Sequence, residues 1–166
     1  MRIAGITKDS VVDGVGIRDV IFLQGCPHHC QGCHNPQTWN PDSGTEMSAT
    51  DIVQQLKYSS NNITISGGEP FMQTEELLDL VELLTSMYPT KTIWIYTGYT
   101  FEEIDPKVMF LLYFMGVEAI VDGRFEEDKK CKKLRFRGSS NQRIIDLQYT
   151  WRQNHIVSWE ETNEQV

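Results

Sequence analysis

The sequence predicts an α/β protein, an open, partial (βα) barrel of about five or six mostly parallel strands. Short β-branched apolar runs alternate along the chain with helical patterns, and this alternation is typical of βαβ units around a parallel sheet. The chain has 166 residues, whereas a closed eight-stranded barrel typically needs about 250. A small doubly wound sheet is the alternative architecture for the same pattern.

The first half of the chain supplies two predicted strands and two predicted helices. VIFLQG at 20–25 is an apolar run of the kind found in buried parallel strands. A helical pattern covers 48–59, and the β-branched run ITIS at 63–66 predicts a short second strand. The clearest amphipathic helix covers 74–88, where four apolar residues recur at helical spacing: Leu77, Leu80, Val81 and Leu84.

The second half repeats the alternation. TIWIYT at 92–97 predicts a third strand, and FEEIDPKVMFLLYF at 101–114 is mostly helical, with Pro106 near its start. VEAIVDG at 117–123 predicts a fourth strand, and RIIDL at 143–147 predicts the last one.

The segments with unusual composition follow these strands directly. A loop with three cysteines follows the first strand, SGGEP follows the second, YTGY the third and VDGRF the fourth. Because parallel strands end at the same edge of a sheet, the four loops should converge there. Such an edge carries the functional site in barrel and doubly wound proteins.

Composition and charge limit the class of protein. Residues 1–150 are predicted to form a single domain, and 151–166 a polar, acidic C-terminal extension whose composition is typical of partial disorder. The net charge of −8 argues against a nucleic-acid partner.

The segment MRIAGITKDS lacks the apolar run of a signal peptide, and no run is long enough to cross a membrane. We therefore expect a cytoplasmic protein without a membrane partner.

Three of the four cysteines lie within CPHHCQGC, at Cys26, Cys30 and Cys33. Disulfides are rare in the cytoplasm, so these thiols are predicted to be metal ligands or catalytic thiols. As metal ligands, thiolates favour zinc or an iron–sulfur cluster. Three cysteines on a four-iron cluster leave one iron open to another ligand. The alternative is a Cys3His zinc site, with His28, His29 or His34 as the fourth ligand. The distant Cys131 is predicted to be a free, inert thiol.

The CxxxCxxC spacing, together with SGGEP after the next strand, resembles the radical S-adenosylmethionine (SAM) superfamily. The resemblance implies a [4Fe–4S] cluster on Cys26, Cys30 and Cys33, with SAM at the open iron. It further implies that Gly67 and Gly68 contact the methionine half of SAM, supported by Glu69, and that the adenine is bordered by Gly32, Cys33 and His34.

Three further residues are candidates for contact with SAM because of their place after strands. Thr97 and Gly98 end the third strand, and Asp122 ends the fourth. Their position suggests contacts to the ribose or to the carboxylate of SAM. For Asp122, an ordinary turn residue in Asp-Gly is an equal alternative.

Longer segments narrow the resemblance to the activating proteins of anaerobic ribonucleoside-triphosphate reductases. These segments are DGVGIR at 13–18, the stretch at 22–39, VDGRF at 121–125 and RGSSNQRIIDL at 137–147. The family usually has proline where this chain has Val15, which affects the rigidity of the turn. The resemblance implies reductive cleavage of SAM, a glycyl radical formed on the reductase, and a one-electron donor such as flavodoxin.

Three alternatives remain open. They are the activation of another glycyl-radical enzyme such as pyruvate formate-lyase, a radical SAM protein that acts on a small molecule, and a zinc-binding module without catalysis. The basic segment at 124–137 is either a solvated loop or a docking surface. Six polar residues could contact the cofactor or only hold the loops: Arg18, Asn35, Arg137, Ser139, Asn141 and Gln142.

Overall fold

The computed structural model describes residues 1–163, apart from the side chain of Glu161. Within this range, seven strands form one sheet: β1 Arg2–Ser10, β2 Arg18–Leu23, β3 Thr45–Glu46, β4 Asn62–Gly67, β5 Ile93–Tyr96, β6 Ala119–Asp122 and β7 Arg143–Asp146. The α-helices described are α1 Ala49–Gln55, α2 Thr74–Met87, α3 Pro106–Phe114, α4 Leu147–Gln153 and α5 Trp159–Thr162. The spatial order of the strands is β3-β1-β2-β4-β5-β6-β7.

The centre of the sheet is parallel, as the alternating pattern predicts. Strands β2, β4, β5 and β6 pair in parallel, and each predicted strand occurs within two residues of its predicted bounds. The parallel strands therefore end at one edge of the sheet, where the four unusual loops begin.

The predicted open, partial (βα) barrel of five or six mostly parallel strands is wrong. The sheet of residues 1–163 has seven strands, and three of its six pairings are antiparallel: β1 with β2, β1 with β3, and β6 with β7. Parallel neighbours need a crossover of a dozen or more residues, usually a helix. The short connection at 11–17 permits only a hairpin, and the segment at 123–142 holds only one short 3-10 turn, at Glu127–Lys129.

Helices α1, α2 and α3 pack with the sheet around the main apolar core. The four apolar residues predicted along α2 are buried, and they meet strand residues such as Ile63, Ile65 and Ile95. Helix α1 begins after Ser48, whose side chain accepts a hydrogen bond from the Asp51 backbone N–H in a capping box. This core holds the parallel strands in place and so fixes where their ends lie.

A second, smaller cluster surrounds Trp94 and includes Ala119, Val121 and Ile144. Trp159 of α5 packs against Trp94 with ring centroids 5.1 Å apart, and α4 runs across the predicted boundary at residue 150. The division into a domain at 1–150 and an extension at 151–166 stays a prediction. Residues 164–166 of the predicted tail lie outside the described residues.

None of the helices in the described part of the chain combines the length and the apolar character that crossing a bilayer requires.

Candidate functional site

A pocket of about 120 Å³ lies at the edge where the parallel strands end. It brings together seven of the residues predicted for the site: Cys26, Cys30, Cys33, Gly67, Gly68, Thr97 and Gly98. Its wall also includes residues that the sequence did not single out, among them Thr38, Trp39, Gly123 and Phe125. The convergence predicted from strand ends is therefore confirmed for this edge.

The cysteine loop, residues 26–33, is shaped mainly by backbone hydrogen bonds. The N–H of Cys26 donates to the Trp39 carbonyl at 3.1 Å, and the N–H of Cys33 donates to the Cys30 carbonyl at 3.1 Å. The Asn35 N–H points at the Cys33 Sγ at 3.3 Å. All three cysteines are free and half-buried, so their sulfur atoms remain accessible from the pocket.

Two thiols of this loop, those of Cys26 and Cys30, are enclosed in a way that disfavours the thiolate. Burial is the main cause that raises the pKa of the Cys26 thiol and that of the Cys30 thiol, because a thiolate loses solvation when it is enclosed. Iron and zinc bind only the deprotonated sulfur. A bound cation would supply the positive charge that offsets the lost solvation.

The three cysteines fit an iron–sulfur cluster by the chemistry of their sulfur atoms. Thiolates are the ligands by which proteins hold such clusters, and each cysteine of a four-iron cluster binds a different iron atom. Among residues 1–163, no group of three or more His, Cys, Asp or Glu side chains is placed to hold a metal ion. A cluster spreads its ligands over several atoms, so it does not require the thiols to meet at one point.

The SGGEP loop, residues 66–70, lies directly against the end of β2 and against Gly25, just before the cysteine loop, because it carries two glycines. A Cβ atom at Gly68 would stand 2.1 Å from the Gly25 carbonyl oxygen, and one at Gly67 would stand 2.4 Å from the Leu23 nitrogen. Gly67 also has a φ of +106°, which favours glycine. The glycines therefore serve close packing against the end of β2 and Gly25, as well as exposing backbone at the pocket wall.

Glu69 is fully buried behind the pocket, and its carboxylate accepts four hydrogen bonds from the chain. The donors are the Phe71 N–H at 3.0 Å, the Thr97 hydroxyl at 2.9 Å, the Gly98 N–H at 2.7 Å and His28 Nε2 at 2.9 Å. A carboxylate with four protein donors has its acceptor positions filled. Glu69 thus fixes the loops around it, and its support of a contact with SAM stays a prediction.

His28 is a residue of this site whose role sequence reasoning missed. It figured there only as one candidate for the fourth zinc ligand, yet its side chain is 5% exposed. Its ring meets Tyr99 edge-on with centroids 4.6 Å apart, and the Arg124 Nε–H donates to its Nδ1 at 3.1 Å. Two adjacent histidines look alike in the sequence, and only long-range packing distinguishes them.

Asp122 does not line the pocket. It is buried, pairs with Arg143, and accepts a hydrogen bond from the Phe101 N–H at 2.8 Å. Arg143 also pairs with Glu102 at 2.8 Å, and its hydrogen bonds lower the pKa of Glu102 to about 2. These carboxylates raise the pKa of Arg143 above its usual value. The position of Asp122 thus matches the alternative of a structural residue, and its contact with SAM stays a prediction.

Gly32 and His34 lie on the outer side of the cysteine loop. A Cβ atom at Gly32 would stand 2.9 Å from the Glu127 carboxyl carbon. The His34 ring lies 5.3 Å from the Phe125 ring and borders a neighbouring groove of about 520 Å³. Their contact with the adenine stays a prediction.

The six residues with open roles are mostly engaged with the chain itself. The Asn141 amide donates to the Arg124 carbonyl at 2.7 Å, the Ser139 hydroxyl accepts from the Glu126 N–H at 3.2 Å, and Arg137 pairs with Glu160 at 2.8 Å. Arg18 lies at the start of β2, away from the pocket, and Asn35 adjoins Cys33. Gln142 lines the pocket and donates to the Gly123 carbonyl at 2.9 Å.

Comparison with known proteins shows related chains. A family model described as a 4Fe-4S single cluster domain matches residues 12–145. The chain is 37% identical over 139 residues to the anaerobic ribonucleoside-triphosphate reductase-activating protein of Enterobacteria phage T4, across 80% of this chain and 86% of that protein. It is 35% identical to the protein of the same name from Escherichia coli strain K12, across 82% and 93% of the two chains. The Vibrio cholerae protein of that name is 37% identical, across 81% and 90%.

Proposed function

This chain belongs to the family of anaerobic ribonucleoside-triphosphate reductase-activating proteins and contains a 4Fe-4S single cluster domain, and we propose that it activates such a reductase by radical SAM chemistry. In this proposal the substrate is a protein, the anaerobic ribonucleoside-triphosphate reductase. The reaction takes place in the cytoplasm. The product is a reductase that carries a glycyl radical.

One observation carries the proposal, namely that three free cysteines and the backbone of a double glycine share one pocket. Three thiolates on a four-iron cluster leave one iron without a protein ligand, so a small molecule can bind there. When bound, the cluster and SAM would supply the one-electron chemistry that converts a glycine of the reductase into a glycyl radical.

The chain's own residues would bind and orient these groups. Cys26, Cys30 and Cys33 are the proposed cluster ligands. Gly67 and Gly68 offer backbone without side chains on the wall of the same pocket, where we place the methionine half of SAM. Further contacts are proposed for residues at the strand ends and along the cysteine loop: Gly32, His34, Thr97, Gly98 and Asp122.

The electron is proposed to come from an acidic one-electron donor protein such as flavodoxin. The segment 124–137 passes beside the pocket, since Phe125 lines it. This basic segment has a local net charge of +4, and Lys130, Lys132 and Lys133 are exposed along it. Such a positive surface favours encounter with an acidic partner.

The first experiment is electron paramagnetic resonance on anaerobically reconstituted protein that has been reduced with dithionite, with and without SAM. The proposal predicts a signal from a reduced [4Fe–4S] cluster that changes when SAM is added. An iron-free protein that retains zinc would contradict it and would favour a zinc-binding module.

Serine substitutions test the ligand set. Cys26→Ser, Cys30→Ser and Cys33→Ser should each abolish the cluster signal, because each removes one of three ligands. Cys131→Ser is the matched control and should keep wild-type iron content, since its side chain does not line the pocket. Loss of iron in the control, with iron retained in Cys30→Ser, would overturn the assignment.

The partner is identified by which protein acquires a radical. Incubation of the reduced protein and SAM with the anaerobic reductase should give a glycyl-radical signal on the reductase, and the same mixture with pyruvate formate-lyase should give none. A reductase variant with its radical-site glycine replaced by alanine serves as the control. The reverse result would assign this chain to another glycyl-radical enzyme.

A further inference from the structure

We propose that His28 is a positioning residue that locks the cysteine loop to the SGGEP loop, and that it sets the affinity for SAM rather than the capacity to hold iron. The inference rests on the proposed function, because it concerns the same pocket. The proposal adds His28, as a hydrogen-bond donor, to the cysteines and glycines already assigned to this site.

His28 stands inside the cysteine loop but turns its side chain toward the SGGEP loop. Its Nε2 lies 2.9 Å from Oε2 of Glu69, and the two side chains are 5% and 0% exposed. The loop after β5 closes over the ring, since a Cβ atom at Gly98 would stand 2.3 Å from His28 Cδ2. The imidazole therefore fills a closely packed space between three loops.

The hydrogen bonds around the ring fix which nitrogen carries the proton. The Arg124 Nε–H donates to Nδ1 at 3.1 Å, so Nδ1 acts as the acceptor. Nε2 then carries the hydrogen and donates to the Glu69 carboxylate. The result is a directed chain of hydrogen bonds from Arg124 through His28 to Glu69.

These hydrogen bonds from Arg124 through His28 to Glu69 join the two loops that SAM is proposed to touch. The other side-chain and backbone donors to Glu69 come from Phe71, Thr97 and Gly98, whereas His28 supplies the donor from the cysteine loop. Removing it leaves a buried carboxylate with three donors instead of four, which is costly in a closed site. The cysteine loop can then move relative to the SGGEP loop, although Cys26, Cys30 and Cys33 are unchanged.

The neighbouring His29 gives a matched control in the same loop. It is exposed, has a φ of +46°, and its ring packs edge-on against Trp39 at 4.9 Å between centroids. A substitution of His29 also removes one imidazole ring from the loop, but it leaves the hydrogen bond from His28 to Glu69 in place.

The experiment compares His28→Asn, His28→Gln and His29→Asn in the full chain. Each variant is reconstituted anaerobically, assayed for iron, reduced, and titrated with SAM while the paramagnetic signal is followed. The amide nitrogen of glutamine reaches approximately the position of Nε2 and can still donate to Glu69. Asparagine is shorter and cannot reach it.

We expect His28→Asn to load wild-type iron and to give a wild-type signal without SAM. The SAM concentration that shifts this signal should rise by about 10- to 100-fold, because the buried Glu69 carboxylate loses one of its four donors and the two loops lose their fixed arrangement. His28→Gln should recover most of the affinity, and His29→Asn should titrate like the wild type.

Two outcomes would overturn the proposal, a wild-type SAM titration in His28→Asn, or equal losses in the asparagine and glutamine variants. If His28→Asn does not fold, Arg124→Met takes its place, because it removes the donor to Nδ1 from an exposed position. It should weaken SAM binding in the same direction, and an unchanged titration would also refute the proposal. A wild-type protein whose signal never responds to SAM would refute the proposed function itself.

Discussion

Arg18 shows how much of this fold can depend on one side chain. It is 0% exposed, and its guanidinium donates to the Thr64 hydroxyl at 2.7 Å, to the Ile63 carbonyl at 2.6 Å and to the Val15 carbonyl at 2.9 Å. It also lies 5.3 Å from the centre of the Trp94 ring. Burial lowers its pKa to about 10. Arg18 therefore joins the connection at 11–17 to the sheet. Its role lies in the fold and not in the pocket.

Arg18→Met should destabilise the protein by about 3 kcal/mol, because several buried carbonyl and hydroxyl oxygens lose their donor. The midpoint of urea unfolding measures the change. Arg152→Met, at an exposed position on α4, is the control and should change stability by less than about 0.5 kcal/mol. Equal losses in the two variants would show that Arg18 has no special role.

A second change at the scale of one residue is Gly68→Ala. The added Cβ would meet the Gly25 carbonyl oxygen at 2.1 Å, so we expect a loss of about 1–3 kcal/mol together with reduced iron loading as the two loops separate. Gly5→Ala in β1 is the control, since nothing lies within 4 Å of a Cβ there. Normal iron content in Gly68→Ala would contradict the close contact.

The candidate site could be predicted in part because its signals are local. The cysteine spacing and the double glycine are visible in short segments, and their place after strands predicts that they meet. Phe125 gave no such signal, and the roles of His28 and Gln142 stayed open, because the contacts that bring these residues to the pocket join parts far apart in the sequence. The sequence pattern also could not decide whether Asp122 faces a ligand or an arginine.

At the scale of elements, the parallel strands were predictable because they are buried apolar runs. Strand β1 was missed because most of its residues are partly or fully exposed, and β3 because it has only two residues. The predicted helix at 101–114 begins as an α-helix only at Pro106, since proline fits the first helical turn and not the interior. Strand β7 runs antiparallel to β6. The segment before it, 123–142, lacks the helical pattern of the crossover that a parallel neighbour usually needs.

The turn at Phe101–Glu103 is joined to β6 and β7 by the ion pairs of Arg143. The lowered pKa of Glu102, about 2 against a usual 4.5, means that the folded state favours its charged form. The stabilisation should be complete above pH 4.5 and be lost as the pH falls toward 2. Glu102→Gln should cost less than about 1 kcal/mol at neutral pH, because the pair is exposed.

Urea unfolding of this variant and the wild type, repeated at decreasing pH, measures that contribution. The difference between the two proteins should shrink below pH 4.5 and vanish near pH 2. Glu82→Gln, which removes an exposed charge on α2, is the control. A difference that persists at the lowest pH would show that packing, not charge, is responsible.

At the scale of the whole molecule, charge is unevenly distributed. The chain carries −8 overall, yet the segment 124–137 carries +4. Part of this positive charge is paired within the protein, by Lys129 with Glu126 at 2.6 Å and by Arg137 with Glu160 at 2.8 Å. The exposed Lys132 and Lys133 extend beyond these pairs and are the side chains best placed to attract an acidic donor.

The double variant Lys132→Glu with Lys133→Glu should slow reduction of the cluster by reduced flavodoxin about tenfold or more at low salt. Reduction by dithionite should be unchanged, because a small reductant needs no docking surface. Lys57→Glu, exposed beyond α1, is the control. If the double variant is reduced by flavodoxin at the wild-type rate but no longer activates the reductase, the surface serves the reductase instead.

The order of strands in the sheet has a consequence for how the protein is made. Apart from β3, the spatial order follows the chain order, so each new strand can add to one that has already left the ribosome. The cysteine loop is complete by residue 33, but the pocket walls at Thr97 and Gly123 come from strands made much later. A nascent chain therefore carries its three thiols for most of its synthesis before the pocket around them can close.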